Sequence, residues 1–226
     1  MNKKRFGIIL LLMLAVGFIY GEEDSSRLIP NDGLKDLDFL SEVEKEIIIE
    51  LNKARSNPAA YAAYLEEFKN LYVGKYIYFA GRPPYVTQEG APAVSEAIEV
   101  LKSMAPVPVL RVSKGLSAAA RVHVEEQSPT GATGHSGADG STPGERVDRF
   151  GKWRKEVGEN IEYGSADPRE IIMQLIVDDG VKDRGHRKNI FKPEFGVVGV
   201  SFGPHHRYRN MCVMDFAGAY TESEDD

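Results

Sequence analysis

The sequence predicts a single α+β domain in which helices surround a few late strands, and three observations predict it. Segments with capped starts and apolar residues three or four apart occupy most of the chain between residues 41 and 180. Period-two alternation is confined to residues 155–163, 197–202 and 208–216. The length of 226 residues, with 42% hydrophobic and 27% charged, suits one generous core, and no internal repeat divides it.

In chain order, Lys3, Lys4 and Arg5 precede an uncharged run at 6–20 that is short of the roughly 20 apolar residues a membrane span needs. Residues 1–21 are therefore expected to be a cleaved export signal, which makes the protein secreted or periplasmic with no transmembrane span after signal removal; the competing reading, favoured by bulky Ile19 and Tyr20 at the cleavage site, is a retained anchor. Cleavage would take the formal charge from -6 to about -9, since three cations leave. With no dense Lys/Arg run beyond residue 5, nucleic acid is a poor partner. Cys212 is the single cysteine, so the core must stabilise the domain without an internal disulfide, as in bacterial secretion.

Residues 22–40 read as a polar linker. Ser41 with Glu44 fits a capping box for a helix through Arg55, carried by Ile47, Leu51 and Ala54. Asn57 and Pro58 start a second helix, with Tyr61, Leu65 and Phe68 on its apolar stripe. Residues 73–90, rich in Gly and Pro, predict a loop or irregular hairpin. Helices follow at 91–104, stopped by Pro106 and Pro108, and at about 113–127, where Leu116, Ala120 and His123 share a face. Residues 128–141 form a Gly/Ser/Thr loop carrying His135. Thr142, Pro143 and Glu145 mark one helix start, Asp167, Pro168 and Glu170 another that ends at Gly180. Two strands joined near Gly203 and Pro204 close the domain, and residues 221–226 form an acidic tail.

Three features break local rules, and such breaks mark candidate sites. Alternation places Glu159 on the face of Val157, Ile161 and Tyr163, where a buried carboxylate needs a partner; the competing reading is a strand-edge Glu facing water. Asp178 and Asp179 end a helix, opposing its dipole at about 0.3–1 kcal/mol each when exposed. Arg184, His186, Arg187 or a metal could compensate them, or Asp-Asp-Gly could simply serve as turn chemistry. His186, between Gly185 and Arg187 in a polar loop, is the third, and alone it is as ambiguous as His135. His135, Glu159 and His186 are too far apart for a local metal motif.

The order Gly134-His135-Ser136, Gly158-Glu159-Asn160-Ile161 and Gly185-His186-Arg187-Lys188-Asn189-Ile190 resembles the CAP superfamily (cysteine-rich secretory proteins, antigen five, pathogenesis-related class one; the SCP domain). Leu51-Asn52-Lys53-Ala54-Arg55 near the start and Met211-Cys212-Val213-Met214-Asp215-Phe216 near the end extend the similarity over about residues 41–220, closest to the disulfide-free bacterial branch. The resemblance implies a three-layer α-β-α sandwich with a cleft lined by two histidines and two acids. His135, Glu159 and His186 carry over, with Asp178 or Asp179 in the fourth place. It also implies that Asn160 and Asn189 position the backbone, and that Arg146 and Arg187 pair with the cleft carboxylates. His123 is either a satisfied core histidine or a residue near the cleft.

Function is expected to follow from that cleft. Two imidazoles suit Zn or another divalent cation, with His135 and His186 as ligands and Glu159 as a third candidate. The resemblance implies a binding module for a lipid/sterol or extracellular protein ligand, and the aromatic segment 76–80 with Tyr85 either meets such a ligand or folds back on the core. The alternative is a metal-dependent hydrolase, a peptidase or esterase, with Glu159 as general base. Ser136 lacks the nucleophile-elbow pattern, and Cys212, in phase with Met214 and Phe216, is expected to be buried.

Overall fold

In a computed structural model of the chain, residues 37–223 are described. The expected export signal and most of the expected linker lie outside them, as do the last three residues of the tail. Packing begins before the first helix, because Leu37 and Leu40, placed by the sequence in the linker, are buried in the main core. At the other end Thr221 and Glu222 belong to a strand, where Glu222 accepts from Ser113 Oγ and the Gly115 amide, so they are not a free tail.

The caps fall where the sequence places them. Helix α1 (Glu42–Ser56) starts at the Ser41/Glu44 capping box, and α2 (Pro58–Lys69) at Asn57, whose side chain accepts from the Ala60 amide. Strands β1 (Tyr72–Val73), β2 (Tyr76–Ile77) and β3 (Tyr85–Val86) form a small antiparallel sheet within the Gly/Pro-rich stretch. Two residues are too few for period two to register, so the sequence shows only a loop there. Helix α3 (Ala91–Ser103) follows, then β4 (Arg111–Val112), also too short to read, then α4 (Lys114–Gln127) and α5 (Pro143–Val147), which starts at the Thr142/Glu145 capping box.

Strand β5 (Gly151–Tyr163) is followed by α6 (Pro168–Val177), α7 (Gly185–Ile190), β6 (Val197–His205) and β7 (Arg209–Glu222). The main sheet runs β4-β6-β7-β5, with β5 on the edge and β7 inside. A bulge between Arg154 and Val157, with Lys155 at φ 70°, shifts the β5–β7 register, and from Val157 onward the pairing is regular.

Alternation on β7 divides the interior into two layers. Cys212, Met214 and Phe216 join the large core made with α1, α2, α3 and α6. Met211, Val213 and Ala217 face the opposite way, among Leu116, Ala119, Ala120 and Val124 of α4 and Val147 of α5. The fold is α+β, with helices on both faces of one sheet. Helix α4 lies so close to β6 that a Cβ on Gly199 would collide with the backbone of Leu116 and Ser117. Among the described residues no helix is long and apolar enough to cross a membrane.

Candidate functional site

Because successive side chains of a strand point to opposite faces, Glu159 and Asn160 of the edge strand β5 serve different layers. Glu159 turns toward the α4–α5 layer and the loop carrying His135; Asn160 turns toward α6 and α7. Each holds one half of the site.

In the first half, His135 Nδ1 lies 2.7 Å from Glu159 Oε1, and Arg146 Nη2 donates to Glu159 Oε2 at 2.5 Å. A carboxylate only accepts, so Nδ1 carries the proton and Nε2 is left free. Arg146, fully buried on α5, also donates to the carbonyls of His135 and Ser141 at 2.9 and 3.1 Å, tying the loop to the acid. Glu159 is buried while the His135 side chain is 51% exposed, so the ring stands out from a dry base.

The second half repeats the arrangement. His186 Nδ1 lies 2.6 Å from Asp178 Oδ1, and the His186 amide donates to Asp178 Oδ2 at 2.9 Å. Asp178 closes α6 in the left-handed conformation (φ 56°, ψ 46°), and this turn swings its short side chain onto His186. Asn160 Nδ2 donates to the His186 carbonyl at 2.9 Å, and Asn189 Nδ2 donates to Asn160 Oδ1 at 2.9 Å. Arg55 of α1 fixes the far end of α7 by donating to the carbonyls of Ile190 and Lys192. The two imidazole centres are 6.3 Å apart.

The structure thus brings together His135, Glu159, Asn160, Asp178 and His186, and it separates three residues from them. Asp179 faces away, its carboxylate accepting from the amides of Gln88, Glu89 and Gly90 ahead of α3. His123 is buried beneath the site, where its Nε2–H donates to the Gly134 carbonyl at 2.8 Å, so it holds the loop and does not line the cleft. Arg187 pairs with Glu96 and caps the last carbonyls of α6, those of Ile176 and Val177, and leaves the cleft carboxylates to other partners. That capping, with Arg184 Nη1 on the Asp178 carbonyl, offsets the unfavourable charge at the helix end. Ser136 is exposed, with no hydrogen bond to either imidazole among the described residues. Cys212 is buried, and burial pushes its thiol well up.

A buried acid beside Glu159 escapes sequence reasoning. Asp215 of β7 stands opposite Glu159 in the register, fully buried, and neither of its oxygens meets a hydrogen-bond donor among the described residues. Burial, and then the Glu159 charge, push its carboxyl well above the ordinary range, with Arg146 opposing. Its signal in the sequence is a carboxylate inside the otherwise apolar run Met211-Cys212-Val213-Met214-Asp215-Phe216-Ala217.

For a divalent cation the free donors are the two Nε2 atoms. A Zn–N bond of about 2.1 Å places a ring centre about 3.2 Å from the ion, so rings sharing one ion can stand up to about 6.4 Å apart. The observed separation falls just inside that limit, and a tetrahedral angle asks the rings to close by about 1 Å. Among the described residues no group of three or more His, Cys, Asp or Glu side chains is arranged to hold an ion, so two protein ligands are what this cleft offers. Both acids act behind the rings, the position in which a carboxylate orients a metal-binding histidine.

Compared with known proteins, residues 50–216 match a family model described as "CAP: Cysteine-rich secretory protein family". The chain is 29% identical over 93 residues to the protein YkwD of Bacillus subtilis (strain 168), covering 41% of this chain and 34% of that protein, so the match spans about a third of the relative's length. It is also similar to an extracellular protein containing a SCP domain from Bacillus anthracis str. Ames, at 18% identity over 56% of this chain and 37% of that one, with a TM-score of 0.39. An outer surface protein from Borrelia burgdorferi is similar at 13% identity over 49% of this chain and 78% of that one, with a TM-score of 0.42.

Proposed function

Because the chain belongs to the CAP, or cysteine-rich secretory protein, family, we propose that it is an exported binding module whose cleft takes a divalent cation between His135 and His186. The observation that carries this reading is the pair of carboxylate-backed imidazoles 6.3 Å apart, each with its Nδ1 committed and its Nε2 free. A bound cation would supply positive charge and open coordination positions. Glu159 and Asp178 fix the tautomer and orientation of the rings, Arg146 neutralises Glu159, and Asn160 holds the α7 backbone. Its outer ligand would be a lipid, a sterol or an extracellular protein. The small sheet supports the first two, since Tyr76 and Tyr78 are exposed beside Val73 and Val86 while Ile77 is buried and Phe79 packs on Phe68.

A metal-dependent hydrolase would ask Glu159 to accept a proton in the cleft. Both of its oxygens already receive short hydrogen bonds from His135 and Arg146. A binding module asks nothing further of it.

Calorimetric titration of the metal-free protein with zinc at neutral pH tests the proposal. One ion per chain should bind, with affinity falling on acidification as protons compete for the imidazoles. Asp178→Asn should weaken binding about 10–100-fold by releasing the His186 ring. Absence of uptake, or uptake unaltered in a His135→Ala, His186→Ala double variant of unchanged fold, refutes it.

A further inference from the structure

The edge of β5 is only partly covered. The Gly164 amide bonds to Asn210 on β7, so even-numbered residues of this stretch direct their backbone groups into the sheet and Glu159, Ile161 and Tyr163 direct theirs outward. The Glu159 carbonyl meets Asn189 Nδ2 at 3.3 Å. The amides and carbonyls of Ile161 and Tyr163 have no partner among the described residues.

These groups line a groove. A hollow of about 450 Å³ runs from Asp178 and His186 past Ile161 and Tyr163 to Tyr85 and Tyr208. The same tyrosines border a second hollow of about 580 Å³ that reaches Arg82, Arg207 and Arg209.

The chemistry of the groove selects its occupant. Outward amide and carbonyl groups alternating along a strand are met together by another extended backbone, whereas a hydrocarbon chain would bury them unpaired. Glu162 also lines the groove, buried, with its Oε2 lacking a hydrogen-bond partner among the described residues. Charge decides one end. Arg82 is taken by Glu170, at 2.6 Å, but Arg207 and Arg209 have no carboxylate partner among the described residues.

We propose that this groove binds an extended polypeptide segment of a partner protein as an added strand on β5. The segment's backbone pairs with Ile161 and Tyr163, an apolar or aromatic side chain sits between Tyr85 and Tyr208, and a carboxylate meets Arg207 and Arg209. The inference does not rest on cation binding, since the groups that hold the segment are Ile161, Tyr163, Tyr85, Tyr208, Arg207 and Arg209, and His186 lines only the opposite end of the groove.

Two fluorescein-labelled octapeptides alternating tyrosine and threonine test it, one ending in two glutamates and the other beginning with them. A parallel added strand favours the first and an antiparallel one the second, because the arginines lie beyond the Tyr163 end of the edge. With the full chain, anisotropy should show micromolar binding of one peptide. N-methylation of one alternate set of its amides should weaken binding at least about 10-fold, while methylation of the other set leaves it nearly unchanged, since only one set faces β5. Arg207→Ser with Arg209→Ser, both at exposed positions, should weaken it about 10-fold, and the Ile161 and Tyr163 amides should gain protection from hydrogen exchange. The proposal is overturned if neither peptide binds, if both methylated sets bind as well as the parent, if the two amides stay unprotected, or if sedimentation shows a second copy of the chain occupying this edge.

Discussion

Replacing Glu162 by glutamine separates the charge of this side chain from its shape. It is buried on the α6 side of β5, its Oε1 accepts from the Ser165 amide at 3.2 Å, and its Oε2 has no hydrogen-bond partner among the described residues. Burial above all pushes its carboxyl up to about 8; the Ser165 amide pulls the other way, Glu170 pushes further, and Arg82 opposes. In the unfolded chain a glutamic acid titrates near ~4.3. Between those values the folded state keeps a proton that the unfolded state has lost, so stability is whole below about pH 4 and declines as pH rises toward 8. At about 1.4 kcal/mol per unit, the interval from pH 5 to pH 8 removes about 4 kcal/mol that the glutamine variant keeps. Urea unfolding of both proteins at pH 5, 6, 7 and 8 reads this directly, and other titrating groups, Asp215 included, cancel in the difference. With a slope of about 2 kcal/mol per molar urea, the midpoints should separate by about 2 M over that range, glutamine the more stable at pH 8. Parallel curves would refute the assignment of a buried, protonated Glu162.

Arg146→Met should cost about 3–5 kcal/mol in the same assay, because it leaves Glu159 buried without its cation; adding Glu159→Gln should recover part of the loss, and strictly additive losses would show that the pair is not coupled. Asp179→Ala removes the acceptor of three amides ahead of α3 and should cost about 1–2 kcal/mol while leaving zinc uptake unchanged, as calorimetry can check. Gly199→Ala forces a methyl into the backbone of α4 and should lower stability by about 3 kcal/mol, read from the denaturation midpoint.

What the sequence makes legible follows the range of the interactions involved. The capping boxes at Ser41 and Thr142 join residues three apart, and both form as read. Glu159 is legible as inward-facing because Val157, Ile161 and Tyr163 share its parity. Glu162 is not, because alternation suggests one wet face, whereas helices cover both faces of this sheet and bury the even residues too. The choice between Asp178 and Asp179 turns on a left-handed backbone at one residue, which spacing does not encode. The six-residue α7 is too short for a period of 3.6 to appear, so His186 looks like a loop residue. Asp215 meets Glu159 across a register that brings together residues 56 positions apart, and only the fold supplies that neighbour.

The bulge at 154–157 partitions β5 into a tolerant half and an unforgiving one. An added or lost residue before Val157 can be taken up where Lys155 already departs from ordinary strand geometry, without changing the pairing with β7 beyond it. Beyond it, losing a single residue would exchange the faces on which an acid and an amide emerge, presenting the amide to Arg146 and the carboxylate to the His186 carbonyl. Both histidines would forfeit their support in one genetic event, although neither codon had changed.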